Sequence, residues 1–429
     1  MGALGATILV AGNMIGSGVY LLPTSLGAVG SITVASWVIA SAGALVLALV
    51  FGFLGVLRPN ADGVVSYASE ALHPALGHLG WFTYWLNCWV GAPVVALAAT
   101  GYLGFFFPIL REPGAGMICS LCVIWLCVLA CIAGPRVVAR LSGASLLIGL
   151  VPIAIATAVG VIAFSPHIFA ASWNVSGKPP TTAALGAVAP IFFAFLGLES
   201  ANIAAAAIDN PRRNLPIAAV GGVLLAAVVY IAASVAIMGL APAATLAAST
   251  APFADAIRGV AGAIAAALVA FCACAKALGT LSGWSLVTAE TGRAAAAAGF
   301  LPRAVSVVSP DRRPIRDLLL AGALMTFAAL VTASPTLGGQ FAVLVNASVL
   351  LSMVIYLLGA AALLRFSAEI ERPALRLLAR AAAIAGAAFS VWIMIILDPS
   401  VRIPGLITVA LSLVLYVISR YAARRRAVA

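Results

Sequence analysis

Charge is what this chain lacks. Of its 429 residues only 23 are Lys or Arg and 12 are Asp or Glu, 8% together, against 64% hydrophobic. So few polar groups cannot cover a water-soluble domain of this size, which excludes that class. Histidine is almost missing: His73, His78 and His167 fall in loops or at segment ends and form no ligand cluster. The cysteines Cys88, Cys119, Cys122, Cys127, Cys131, Cys272 and Cys274 all lie in apolar segments. Cys119 and Cys122 form a C-x-x-C, but no second pair or histidine stands at zinc-ligand spacing, so the thiols read as small apolar filler and no metal site is expected. No nucleotide-binding loop, catalytic constellation or cofactor motif is found, so neither an enzyme nor an ATP-driven machine is expected. The formal net charge of +11 would point to nucleic acid in a soluble protein. Here the placement of the basic residues carries the information instead.

What the chain has is long hydrophobic runs. Runs of about 20 residues, the length that spans a bilayer as helix, recur near 3–26, 33–57, 79–109, 115–133, 143–164, 183–207, 216–240, 260–289, 318–334, 340–364, 381–397 and 403–420. Twelve spans are expected, in an all-α integral membrane protein. The first run has no Lys or Arg before it and leads straight into further spans, so it reads as a retained helix rather than a signal peptide. With the amino terminus inside, the inner loops hold Arg58, Arg136, Arg140, Arg212, Arg213, Arg293, Arg303, Arg312, Arg313, Arg316, Arg365, Arg372, Arg376, Arg380, Arg420, Arg424, Arg425 and Arg426. The outer loops hold Arg111, Lys178, Arg258 and Arg402. Eighteen against four predicts both termini in the cytoplasm. The basic tail, 421–429, reads as an anchor to anionic lipid.

The first segment is interrupted. Ala11-Gly12-Asn13-Met14-Ile15-Gly16-Ser17-Gly18-Val19 packs three closely spaced glycines with Asn and Ser into mid-span, poor helix material. Bare backbone groups in hydrocarbon cost on the order of several kcal/mol each, so unwound backbone survives only where it lines a cavity or packs in protein. The sixth segment repeats the pattern at Phe193-Ala194-Phe195-Leu196-Gly197-Leu198-Glu199-Ser200, with Asn202 following. Five helices apart, the two breaks predict inverted repeats at 1–164 and 183–364, with two added helices at 381–420, inside one domain of 1–429. Paired breaks mark the midplane site of a gradient-driven transporter.

These residues carry a resemblance. Gly12-Asn13-Met14-Ile15-Gly16-Ser17-Gly18-Val19-Tyr20-Leu21-Leu22-Pro23 is similar to the first-helix motif of the amino acid, polyamine and organocation superfamily. Tyr84-Trp85-Leu86-Asn87-Cys88-Trp89, Gly197-Leu198-Glu199-Ser200-Ala201, Asn210-Pro211-Arg212-Arg213-Asn214-Leu215-Pro216 and Gly279-Thr280-Leu281-Ser282-Gly283-Trp284 extend it. Together they resemble the bacterial basic amino acid/polyamine antiporters, most closely the arginine/agmatine exchangers, from about Gly5 to Arg420. The resemblance implies a LeuT-like 5+5 inverted-repeat core, a bacterial inner-membrane location, a homodimer, and small amino acid or amine substrates with no cofactor.

It also implies roles. Ser17 and Gly18 would donate to a substrate carboxylate, which suits the start of a second half-helix. Carbonyls around Met14, Phe193 and Leu196 would take the ammonium, with Asn13, Asn87 and Cys88 also at the site. Trp284 would hold a cationic side chain on its ring face, worth about 2 kcal/mol when desolvated, or else be a packing aromatic. Thr280 and Lys276 share its helix face at helical spacing. Glu199, an acid at mid-membrane, belongs by resemblance to the gate facing the outside, near Tyr84, and could titrate during transport; a neutral acid bonded to unwound backbone is the structural alternative.

Departures from the family bear on substrate and coupling. Lys276 replaces a small residue and is the one lysine inside an expected span. It would act as a fixed substitute for sodium, a proton carrier, or a counter-ion to Glu199 or substrate; snorkelling to an interface is the alternative. The family's helix-three asparagine corresponds to Ala92, its helix-six aromatic to Phe193 and its helix-ten gate tyrosine to Leu358. With Lys276 close, a second cation would be repelled, which leaves neutral or acidic substrates and proton-coupled uptake open beside exchange.

Overall fold

A computed structural model describes residues 2–59, 61, 63–199, 208–297, 300 and 315–428; for Ser17, Pro135, Ala139 and 419–428 it describes the backbone only. Ser200, Ala201, Asn202, Arg303, Arg312 and Arg313, named above, lie outside the described residues, as do the side chains of the basic tail. Every regular element among the described residues is helical.

The break in the first segment falls where the glycines are. Helix α1 (Ala3–Met14) stops at Met14, Gly16 is extended (φ −90°, ψ 176°), a 3₁₀ turn covers Ser17–Tyr20, and α2 (Leu22–Gly27) follows. The two halves are bent by 53°. Then come α3 (Thr33–Leu57), the short α4 (Val64–Ala71), α5 (Pro74–Phe106), α6 (Pro113–Ala133) and α7 (Pro135–Ala163). Short helices α8 (Pro166–Ala171), α9 (Pro180–Gly186) and α10 (Val188–Phe192) lead to a 3₁₀ turn at Phe193–Phe195. There the sixth segment leaves helical geometry: Leu196 is extended and Gly197 has φ +97°, a left-handed value glycine adopts without strain.

The remaining helices are α11 (Pro211–Leu240), α12 (Ala243–Ala248), α13 (Pro252–Ala297), α14 (Ile315–Val331), α15 (Leu337–Phe366), α16 (Pro373–Ile396) and α17 (Pro399–Val428). Proline opens α5, α6, α7, α11 and α16, where a missing N–H costs nothing. Among the described residues nine helices are long and apolar enough to cross a membrane, ten with the bent first pair. Of the twelve expected spans, the sixth appears as the shorter apolar stretch Pro180–Phe195 and the ninth as the 17 residues of α14. Several expected edges move. The third, fifth and eleventh helices start at Pro74, Pro135 and Pro373 rather than 79, 143 and 381, and α13 bends at Gly262, whose φ of +84° breaks the helix two residues into the expected span.

The apolar core gathers α1, α3, α11 and α15, while α13 packs along α7 and α5. Three contacts place the arginine-bearing ends on one face: Gly52 of α3 lies against Pro216 of α11, the Trp81 indole of α5 donates to the Thr291 carbonyl of α13 at 3.2 Å, and Arg58 meets Glu369. Arg58, at the end of α3, is bidentate to Glu369 at 2.8 and 2.9 Å, bonds Glu70 of α4 at 2.6 Å, and stacks 4.1 Å over Phe366 of α15. The hydrogen bonds it donates to Glu369 and Glu70 hold the guanidinium above its ordinary range, and Arg58 holds the Glu369 carboxyl below its own. Both acids are about half exposed, so solvent screening keeps the clamp to about 1 kcal/mol or less. A depressed carboxylate stabilises above its unfolded pKa and stops doing so as pH falls through the folded one. Arg58→Ala should therefore lower the melting midpoint of the detergent-purified protein slightly at pH 7, and the gap to wild type should close on acidification below the carboxylate range; a gap independent of pH would remove the ion pairs from that role.

Candidate functional site

Breaking two helices inside a membrane frees carbonyls that need donors. One side chain serves both breaks: the Tyr230 hydroxyl of α11 lies 2.6 Å from the Met14 carbonyl and 3.1 Å from the Ala194 carbonyl. The Met14 oxygen also accepts from the Gly16 amide at 2.6 Å, so both its lone pairs are engaged. The expected ammonium contact at Met14 is therefore already occupied in this conformation.

A cavity of about 540 Å³, counting its open mouth, lies between the two breaks. Asn13, Met14, Gly18, Asn87, Phe193, Leu196 and Trp284 all line it, together with Gly16, Gly91, Val95, Thr280 and Ser348. Gly18 is where the chains come closest: a Cβ there would stand 2.4 Å from the Phe193 ring, so the second half of helix one can meet helix six only through glycine. The backbone of Ser17 opens the 3₁₀ turn beside Gly18; its hydroxyl lies outside the described atoms.

The lining holds polar atoms with no partner among the described residues. Asn87 spends its amide on the Ser352 hydroxyl at 3.1 Å, but its Oδ1 is bare, as are Thr280 Oγ1 and Ser348 Oγ. Buried groups of this kind are normally satisfied. Three bare oxygens around an aromatic-walled cavity therefore fit a ligand with several N–H donors. Sequence reasoning placed Thr280 on the face of Trp284 but missed Ser348, which carries no motif.

Three expectations are corrected. Cys88 is fully buried and does not line the cavity, because it follows Asn87 by 100° around α5. Tyr84, expected beside Glu199 rather than in the cavity, is half-buried, off the cavity and near Glu199. Glu199 Oε2 accepts from the Tyr356 hydroxyl at 2.8 Å, so the helix-ten partner is Tyr356, two residues before the Leu358 inferred from the resemblance. Tyr356 stands eight residues beyond the cavity residue Ser348 on α15, roughly 12 Å toward the Arg58 end. Glu199 thus lies on the arginine-rich side of the cavity rather than the opposite side.

Lys276 is buried but faces away from the cavity. Its stem lies on Gly149 of α7, where a Cβ would stand 2.6 Å from Lys276 Cδ, and the Gly149 carbonyl accepts from the Tyr20 hydroxyl. Among the described residues it forms no ion pair with Glu199, which removes the direct counter-ion role for that residue.

The amino acid permease family matches residues 1–420. The chain belongs to that family. The permease is 33% identical over 371 residues to the cadaverine/lysine antiporter of Escherichia coli K12, covering 85% of this chain and 83% of that protein. It is 33% identical over 367 residues to the putrescine transporter PotE of the same strain, and 31% over 363 residues to PotE of Haemophilus influenzae, with the same coverage. It is an amino acid/polyamine transporter of the amino acid, polyamine and organocation superfamily, homologous to basic amino acid/polyamine antiporters, and not an enzyme; the family implies a LeuT-like fold.

Tyr230→Phe tests how the site is held. It leaves the Ala194 carbonyl without this donor and the Met14 carbonyl with one bond, at a cost of about 1–3 kcal/mol for a buried unpaired group. A lower melting midpoint and weaker substrate binding are expected; an unchanged midpoint would mean that other groups hold the two breaks.

Proposed function

We propose that this permease is an obligatory exchanger that swaps a basic amino acid for its decarboxylated amine across the bacterial inner membrane by alternating access. The supporting observation is the cavity itself. Two helix breaks meet there, no charged side chain lines it among the described residues, and Asn87 Oδ1, Thr280 Oγ1 and Ser348 Oγ stand unpaired beside Trp284 and Phe193. An ammonium carries three N–H donors on one atom and matches dispersed neutral acceptors; a guanidinium prefers the planar, bidentate partner that this cavity lacks. Lysine with cadaverine, or ornithine with putrescine, therefore suits the site better than arginine with agmatine. The reading takes the twelve-helix 5+5 arrangement, cytoplasmic termini and a homodimer as its frame. The amino end of the second half of helix one, at Gly16 to Gly18, receives the substrate carboxylate, and Glu199 with Tyr356 closes the cytoplasmic side.

A second reading, proton-coupled uptake, is favoured by one observation: Lys276 is buried with no hydrogen-bond or ion-pair partner among the described residues, beside the second half of helix one. In the exchange reading its ammonium is a permanent substitute for a coupling ion.

Counterflow in proteoliposomes separates the two. Saturable entry of labelled lysine or putrescine only when the partner compound is loaded inside is expected for exchange; uptake into empty vesicles that rises with an inward proton gradient would replace that reading with the second. Glu199→Gln should flatten the pH profile of exchange while Lys276→Ala should leave substrate choice intact. An unchanged profile would take Glu199 out of the proton chemistry, and an altered substrate choice in Lys276→Ala would put Lys276 in contact with substrate.

A further inference from the structure

Off the central cavity, between α5, α13 and α14, lies a smaller pocket of about 180 Å³ including its mouth. Trp85, Thr288, Gly292 and Asp317 line it with apolar residues of α14. Asp317 is 4% exposed, and its Oδ2 has no hydrogen-bond partner among the described residues. A carboxylate in the first turn of a helix is favoured by the helix dipole. That accounts for an acid at this position in α14 but not for an oxygen left bare inside a pocket.

The other walls suit a cation. The Thr288 hydroxyl donates to the Trp284 carbonyl at 2.8 Å, which leaves its oxygen free to accept. Trp85 supplies indole surface, and its approach depends on Gly292, where a Cβ would stand 3.1 Å from Trp85 Nε1. The charged residues nearby on α13, Glu290 and Arg293, pair with each other, and no basic group among the described residues pairs with Asp317. A single carboxylate oxygen, one hydroxyl and an aromatic wall make a poor shell for a metal ion, which needs five or six oxygens, and a good one for an ammonium.

Position ties the pocket to the transport path. Trp284, Thr288 and Gly292 follow at intervals of four on α13, so the pocket begins about 6 Å from the central cavity, toward the arginine-rich face. We infer that Asp317, Thr288 and Trp85 form a second site for the primary ammonium group of an amine on the cytoplasmic side of the central cavity. The substrate class follows from the exchange reading above; the site itself is argued from the bare carboxylate and its walls.

The test uses the full-length protein in lipid nanodiscs. Dicyclohexylcarbodiimide should label Asp317, located by mass spectrometry, and putrescine or methylammonium should protect it, whereas sodium chloride at the same concentration should not. At equilibrium, wild type should bind two putrescine molecules per chain; Asp317→Asn should lose one, with the weaker event falling by about tenfold or more, as expected when a charge-assisted hydrogen bond is removed. Thr288→Val should weaken the same event, which keeps the test open if Asp317→Asn does not fold. Amine protection of Asp317 in a protein that shows no exchange would leave the site standing and remove the exchange reading. Normal exchange with no amine protection of Asp317, equal protection by sodium, or an unchanged stoichiometry in both variants would overturn the site.

Discussion

Hydrocarbon supplies no hydrogen bonds, and the permease depends on how it meets that constraint at two places at once. The carbonyl ends of two interrupted helices converge on one hydroxyl, Tyr230, itself packed between Trp37 and Phe195 at ring distances of 5.4 and 5.6 Å. A single donor can serve both breaks only if they lie side by side. The cavity between them is therefore a consequence of backbone satisfaction. Gly18 and Phe193 then set its width, because nothing larger than glycine allows the two segments to touch.

From the cavity two helices carry polar groups toward the arginine-rich face at intervals of four. On α15 the series is Ser348 in the cavity, Ser352 on Asn87, and Tyr356 on Glu199. Beyond it, at the end of the same helix, Phe366 and Glu369 receive Arg58 from α3. On α13 the series is Thr280, Trp284 and Thr288. One face of α15 therefore carries the cavity wall, the partner of Asn87 and the partner of Glu199.

Much of this was legible in the sequence and some was not, for identifiable reasons. The break at 15–16 follows from glycine, serine and asparagine at mid-span, and the turn at Gly197 from the same logic, because both are local backbone properties. The shared face of Trp284 and Thr280 follows from helical period alone. Tyr230 and Tyr356 were missed because their importance lies in partners 216 and 157 residues away, Met14 and Glu199, which no local pattern announces. Ser348 escaped for the same reason. Cys88 was placed at the site by the resemblance, yet one residue along a helix from Asn87 turns the side chain out of the cavity. Lys276 was legible as anomalous but not as pointing to α7, since its direction depends on how two helices cross.

That crossing explains how a charge outside the cavity still bears on it. The α7–α13 seam is antiparallel: Gly149 lies on Lys276, Ser145 on Gly279, and the Ser142 hydroxyl on the Gly279 carbonyl at 3.1 Å. At Gly149 two demands fall on one residue. Its missing side chain makes room for the lysine stem, and its carbonyl accepts from Tyr20, the last residue of the turn that opens the second half of helix one. Moving the ammonium stem by even a methyl's width displaces this backbone, because protein interiors are packed too closely to absorb it. The displaced carbonyl must then carry Tyr20 with it or lose a buried hydrogen bond. The lysine stem and the turn that opens the second half of helix one thus meet at a single glycine.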